Sequence, residues 1–172
     1  SNQSKGQDMA KAMNEIGYKA MAAGNHEFDF GLDTVEKYKN NPQNGGWLNF
    51  PILSTNVYKD GKRLFEPATI INENGVKIGI VGVTTPETAT KTNPTGIQGV
   101  TFTKPIPEVT KEITKIKDKV DFIAVLAHLG DDTTTLEDEK GSALAAALKA
   151  NPLFAGTSIF VIDGHSHQLI QD

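Results

Sequence analysis

Apolar residues recur along this chain in two alternating rhythms, and their alternation predicts an α/β fold. Met9, Ala12, Met13 and Ile16 fall three and four apart, as on one face of a helix, and Gly17 stands where such a helix ends in the left-handed conformation. A short apolar run, residues 20–23, leads into Gly24-Asn25-His26-Glu27. A second helix is expected after Gly31, beginning at Leu32-Asp33-Thr34-Val35 and stopping at Asn40-Asn41-Pro42, because proline breaks the helical ladder. Segments of β character follow at residues 51–57 (PILSTNV), 68–71 and 77–84 (KIGIVGVT), the last two joined by an Asn74-Gly75 hairpin turn. Residues 85–103, rich in Thr, Pro and Gly, read as an irregular loop. Ile106, Val109, Ile113, Ile116 and Val120 then mark an amphipathic helix with Lys and Glu outside. The continuous apolar run 122–127 (FIAVLA) suits a buried parallel strand. An acidic loop, an Ala- and Leu-rich helix over 142–150 and a short strand over 158–162 complete the series. Strands alternating with helices predict an α/β domain spanning residues 1–172, with a parallel or mixed central sheet and helices on both faces.

Composition narrows the chemistry. The 172-residue chain contains no Cys, so disulfides, thiolate nucleophiles and cysteine-ligated metals are excluded, and any metal must be held by nitrogen and oxygen. A net charge of −4 with dispersed Lys and Arg gives no electrostatic footprint for duplex nucleic acid. No segment approaches the ~20 consecutive apolar residues of a membrane helix.

The four His residues share a context. His26 lies in AAGNHEFDFG, His128 in VLAHLG, and His165 and His167 in VIDGHSH, each beside a Gly at the carboxyl end of an expected strand. In open α/β sheets those ends gather along one rim, where ligands bind. Neutral imidazole is a common ligand of divalent ions such as Zn, Mn, Fe or Ni, and an Asn carbonyl oxygen can join it. Gly164-His165-Ser166-His167 could direct two imidazoles at two ions, or at one ion and a substrate. Asp29, Asp131 and Asp163 are near enough in sequence to orient an imidazole through its second nitrogen. Taken singly, each segment also fits a surface turn or a packed His; three at matching strand ends indicate a metal site.

Gly24-Asn25-His26-Glu27, His128 after a strand, and Gly164-His165-Ser166-His167 resemble the later motif blocks of the calcineurin-like metallophosphoesterases. The wider text, GNHEFDFG, FPILSTNV, RLFEP, GIVGVTTPET and AHLG, resembles the catalytic domain of bacterial 5′-nucleotidases, a branch that includes UDP-sugar hydrolases and 2′,3′-cyclic-nucleotide phosphodiesterases. The resemblance implies a sandwich of mixed β-sheet with flanking helices and a metal-dependent hydrolase acting on extracellular nucleotides, secreted or associated with the cell wall. It assigns Asn25, His128 and His165 to one ion of a dinuclear centre, Mn, Zn or similar, and His167 to the other. His26 matches the non-ligand His that contacts phosphate and stabilises the transition state or leaving group; Glu27 and Asp29 match supporting positions. In that family a water activated by two ions roughly 3.5–4 Å apart attacks phosphorus in line.

The family's first two blocks, an Asp-x-His and a Gly-Asp whose Asp bridges both ions, have no counterpart here; the family order places them before Ser1. The expected fold is therefore incomplete, weak in cation binding and poor in hydrolysis by itself, with an open sheet edge that invites homodimerisation. A cyclic-nucleotide phosphodiesterase, a nucleotide-sugar hydrolase and a non-catalytic module binding a nucleotide or protein stand as alternatives.

Overall fold

Local pattern becomes regular structure in a computed structural model that describes residues 4–168. In chain order the elements are α1 (Gln7–Ile16), β1 (Met21–Ala22), α2 (Leu32–Lys39), β2 (Ile52–Leu53), β3 (Val57–Lys59), β4 (Lys62–Arg63), β5 (Ala68–Glu73) and β6 (Val76–Thr84). They continue with α3 (Thr88–Lys91), β7 (Val100–Phe102), α4 (Pro105–Ile116), β8 (Phe122–His128), α5 (Gly141–Ala150) and β9 (Ile159–Asp163). Gly17 ends α1 with φ +88°, the left-handed stop its position predicts. Asn74 and Gly75 take φ +53° and +90°, the paired left-handed residues that let a two-residue turn follow the twist of β5 and β6.

The main sheet has the order β5-β6-β8-β9 and is mixed. β5 runs antiparallel to β6, whereas β6, β8 and β9 are parallel. Thr84 pairs with His128 and Ala127 with Asp163, so the chain leaves all three parallel strands along one rim. Inward residues alternate: Val81, Val83, Ile123 and Val125 are fully buried against Val109 and Ile113 of α4 and Leu144 of α5. Each such aliphatic side chain contributes on the order of 1.5–3 kcal/mol by leaving water. Arg63 of β4 ties this layer to the rest, its guanidinium 2.9 Å from Glu108 and 3.1 Å from Glu112.

The expectation of helices on both faces is corrected. α4 and α5 cover one face; on the other, a two-stranded parallel sheet of β1 and β2 packs against β6. Gly82 makes that close approach feasible, because a Cβ there would stand 2.4 Å from the Leu53 carbonyl oxygen. Beyond this layer lies a second core centred on Phe28, whose ring meets Phe65 and Phe102 edge-on at 6.0 and 5.5 Å.

Two further segments depart from the local pattern. Residues 51–57 do not form one strand: Ser54, Thr55 and Asn56 are fully buried between β2 and β3. Ser54 N–H donates to Glu66 O, Thr55 N–H to Gly82 O, and Asn56 accepts from Thr84 N–H while donating to the carbonyls of Thr84 and Thr103. Scattered backbone bonds and the Asn56 side chain replace a continuous ladder there. Residues 85–103 are more ordered than their composition suggests, holding α3 and β7, the latter antiparallel to β3. The helix through Ile106 ends at Ile116, and Val120 follows a tight turn over Lys117–Lys119 in extended backbone.

Candidate functional site

The parallel register delivers His128 to the rim as the last residue of β8, and the loop after β9 delivers His165 beside it. Asn25 arrives from the turn that follows β1. Its tight approach depends on Gly24, where a Cβ would lie 2.9 Å from both Cε1 and Nε2 of the His128 ring. Glu27 closes that turn: its Oε2 accepts the Gly24 N–H at 2.6 Å, and burial pushes its carboxyl above the usual range.

Three donor atoms converge. His128 Nε2 stands 3.0 Å from Asn25 Oδ1 and 3.2 Å from His165 Nδ1. The two imidazole rings lie 4.8 Å apart at 54°. Burial, together with the repulsion of any charge on His165, His26 or His167, lowers the His128 pKa to about 4, so its ring is neutral at physiological pH. Donors bound about 2.1 Å from a single ion at 90–110° would be separated by about 3.0–3.4 Å, and the Asn25–His128 and His128–His165 spacings both fall in that range. The set comprises two imidazoles and one amide; among the described residues, no group of three or more His, Cys, Asp or Glu side chains gathers as a metal cluster.

The remaining His residues stand apart from that trio. His26 is 77% exposed in its side chain, with Nδ1 2.8 Å from Asp29 Oδ2, and Asp29 Oδ1 accepts from Thr92 at 3.3 Å. His26 and Asp29 line a cavity of about 470 Å³ with Met9, Phe30 and Tyr38. His167 is exposed and lines another recess with His165, Asp131 and Asp163. Both His165 and His167 carry positive φ, +88° and +55°, a conformation uncommon for residues other than glycine. The strain sits on the imidazole-bearing residues themselves rather than on Gly164.

The three aspartates divide. Asp29 does orient an imidazole, whereas Asp163 binds backbone and Asp131 binds the backbone and hydroxyl of Ser142. Asp163 accepts the N–H groups of Leu129 and Gly130 at 2.9 and 3.0 Å, pinning the chain after His128 to the end of β9. Asp131 accepts from the backbone N–H and hydroxyl of Ser142 at the start of α5. The carboxylate facing His165 is Glu87, 3.2 Å from Nε2. Its sequence distance of 78 residues hides the pairing; its place in the GIVGVTTPET segment, just past the end of β6, which runs parallel to β8, is the signal that could have found it.

Comparison with known proteins gives the chain's family and the kind of fold it shares. Residues 2–171 match a family model described as "Bacterial capsule synthesis protein PGA_cap". A 5′-nucleotidase of Vibrio cholerae is 40% identical over 163 residues, covering 92% of this chain and 28% of that protein. Protein UshA of Escherichia coli is 34% identical over 161 residues, 91% of this chain and 28% of its own length. The chain thus spans less than a third of these curated relatives. Among solved structures, a 5′-nucleotidase precursor from Thermus thermophilus superposes with a TM-score of 0.73 at 28% identity, over 99% of this chain and 30% of that one. The calcineurin-like phosphoesterase YfkN of Bacillus subtilis gives 0.75 at 25% identity, over 95% of this chain and 49% of its own. The chain belongs to the PGA_cap family, and its sequence and fold are those of part of a calcineurin-like phosphoesterase catalytic domain of the 5′-nucleotidase type.

Proposed function

We propose that this chain carries one cation subsite and the phosphate-contacting dyad of a phosphoester hydrolase acting on 5′-nucleotides outside the cytoplasm. The observation that carries the reading is the convergence of Asn25 Oδ1, His128 Nε2 and His165 Nδ1 at 3.0 and 3.2 Å. These three atoms would hold one divalent ion, and His167 is assigned to a second. The chemistry a cation supplies when bound is neutralisation of a phosphoryl oxygen and a more acidic water.

The protein's own groups do the rest. Asp29 accepts the His26 Nδ1–H and fixes the ring, leaving Nε2 free at the rim. In its protonated form His26 offers Nε2–H to a phosphoryl or leaving-group oxygen, and afterwards withdraws as a neutral base. Its exposure suits a group that must meet an incoming phosphate. His128, neutral and buried, keeps a nitrogen lone pair for a ligand rather than a proton for the substrate. The nucleotide part of the reading is supported by relatives named as 5′-nucleotidases.

Phosphate release from 5′-AMP with Mn²⁺ tests it. The chain alone is expected to turn over slowly, to stop with a chelator, and to gain activity in a longer polypeptide that adds the upstream Asp-x-His and Gly-Asp blocks. Release indifferent to chelation, or unchanged by His128→Ala, rejects it. UDP-glucose and 2′,3′-cyclic AMP in parallel assays separate the two related hydrolase activities.

A further inference from the structure

We propose that Glu87 is a positioning residue that locks His165 in the Nε2–H tautomer and so presents the Nδ1 lone pair at the rim. This inference rests on the reading of that rim as a cation site, and concerns a side chain 78 residues away in sequence from the His165 it faces.

Glu87 follows β6 in the turn Thr85-Pro86-Glu87. Its own backbone is immobilised: Glu87 N–H donates to Thr85 Oγ1 at 3.2 Å, while the N–H and hydroxyl of Thr88 both donate to Thr85 O, at 3.2 and 2.7 Å. Thr85 and Thr88 are fully buried, so the turn has no room to drift. From this base the Glu87 carboxylate reaches His165 Nε2 at 3.2 Å and Lys91 Nζ at 2.9 Å through the same oxygen, Oε2. The side chains of Glu87 and His165 are only 13% and 11% exposed. Water competes poorly for either group at such burial.

The chemistry follows from which atoms can donate. An ionised carboxylate only accepts, and the Lys91 ammonium beside it compensates its charge. The nitrogen of His165 that faces Glu87 must therefore carry the proton. A neutral imidazole holds one N–H, so Nδ1 is left with a lone pair, and Nδ1 is the atom 3.2 Å from His128 Nε2. The same arrangement suits the metal-free protein, where Nδ1 accepts from His128 Nε2–H, and the cation-bound protein, where Nδ1 ligates. The left-handed backbone of His165, φ +88°, does not itself select a nitrogen; the Glu87 contact does.

Two measurements on the whole chain test the assignment. Two-bond ¹⁵N–¹H correlation spectra of the metal-free protein at pH 7.5 read the His165 tautomer directly. The Nε2–H form is expected in the parent and in Glu87→Gln, whose amide oxygen stays turned toward Lys91 and His165, with a tautomer mixture in Glu87→Ala. Calorimetric titration with Co²⁺ is expected to weaken by about 10–100-fold in Glu87→Ala, as loss of a partner that orients a ligating His does, and by far less in Glu87→Gln. An Nδ1–H tautomer in the parent overturns the proposal, as does a folded Glu87→Ala that keeps both tautomer and affinity. If the parent takes up no Co²⁺ while the tautomer still depends on Glu87, the positioning role stands and the cation reading of the rim falls.

Discussion

The molecule holds two carboxylate–imidazole pairs of similar chemistry in opposite surroundings. Asp29 and His26 lie three residues apart in one turn, at 2.8 Å, with the imidazole 77% exposed. Glu87 and His165 come from loops 78 residues apart and meet at 3.2 Å with both partners nearly buried. The first pair is free to greet a ligand and contributes little to the fold; the second is part of how two loops are held together. Exposure thus separates a pair open to solvent from a pair enclosed between two loops.

Five substitutions sharpen or break this contrast. Asn56→Ala is expected to have the largest effect on stability, because it strips the Thr84 N–H and the carbonyls of Thr84 and Thr103 of their partner in a fully buried site. Leaving those groups unsatisfied costs about 3 kcal/mol in urea denaturation. Gly24→Ala comes next, since its Cβ forces the His128 ring away from Asn25; a loss of about 1–3 kcal/mol is expected from such overpacking, with weaker Co²⁺ uptake in the same preparation. Glu87→Ala breaks the buried pair but leaves Lys91, 42% exposed, able to rehydrate; a loss of about 1–2 kcal/mol separates it from the exposed pair. His26→Ala and Asp29→Ala are expected to change stability by no more than about 0.5 kcal/mol. His26→Ala nonetheless removes phosphate release in whichever form of the protein turns over. A destabilisation by Asp29→Ala equal to that by Glu87→Ala would erase the distinction.

Much of the fold could be read directly from residue order. The spacing of Met9, Met13 and Ile16 specified α1, Asn74-Gly75 specified the hairpin, and the apolar run at 122–127 specified the central strand. These features are local: helical period, turn chemistry and continuous apolarity act within a few residues. The placing of all four His residues at strand ends was legible for the same reason, since His128 closes β8 and the others follow β1 or β9. Residues 51–57 and 85–103 misled because their order depends on distant partners. Asn56 spends its side chain on Thr84 and Thr103, and β7 exists because β3 pairs with it.

Sequence by itself thus determined most element types, the motif blocks and the family, because those reside in residue identity and short-range spacing. Tertiary structure decided the rest. The register that aligns Thr84 with His128 and Ala127 with Asp163 brought Glu87 to His165 and left Asp131 and Asp163 to the backbone. Which of several nearby carboxylates meets an imidazole depends on distances of a few tenths of an ångström between loops. Those distances are set by the packing of β6, β8 and β9 beneath them, and no property of a single segment contains them.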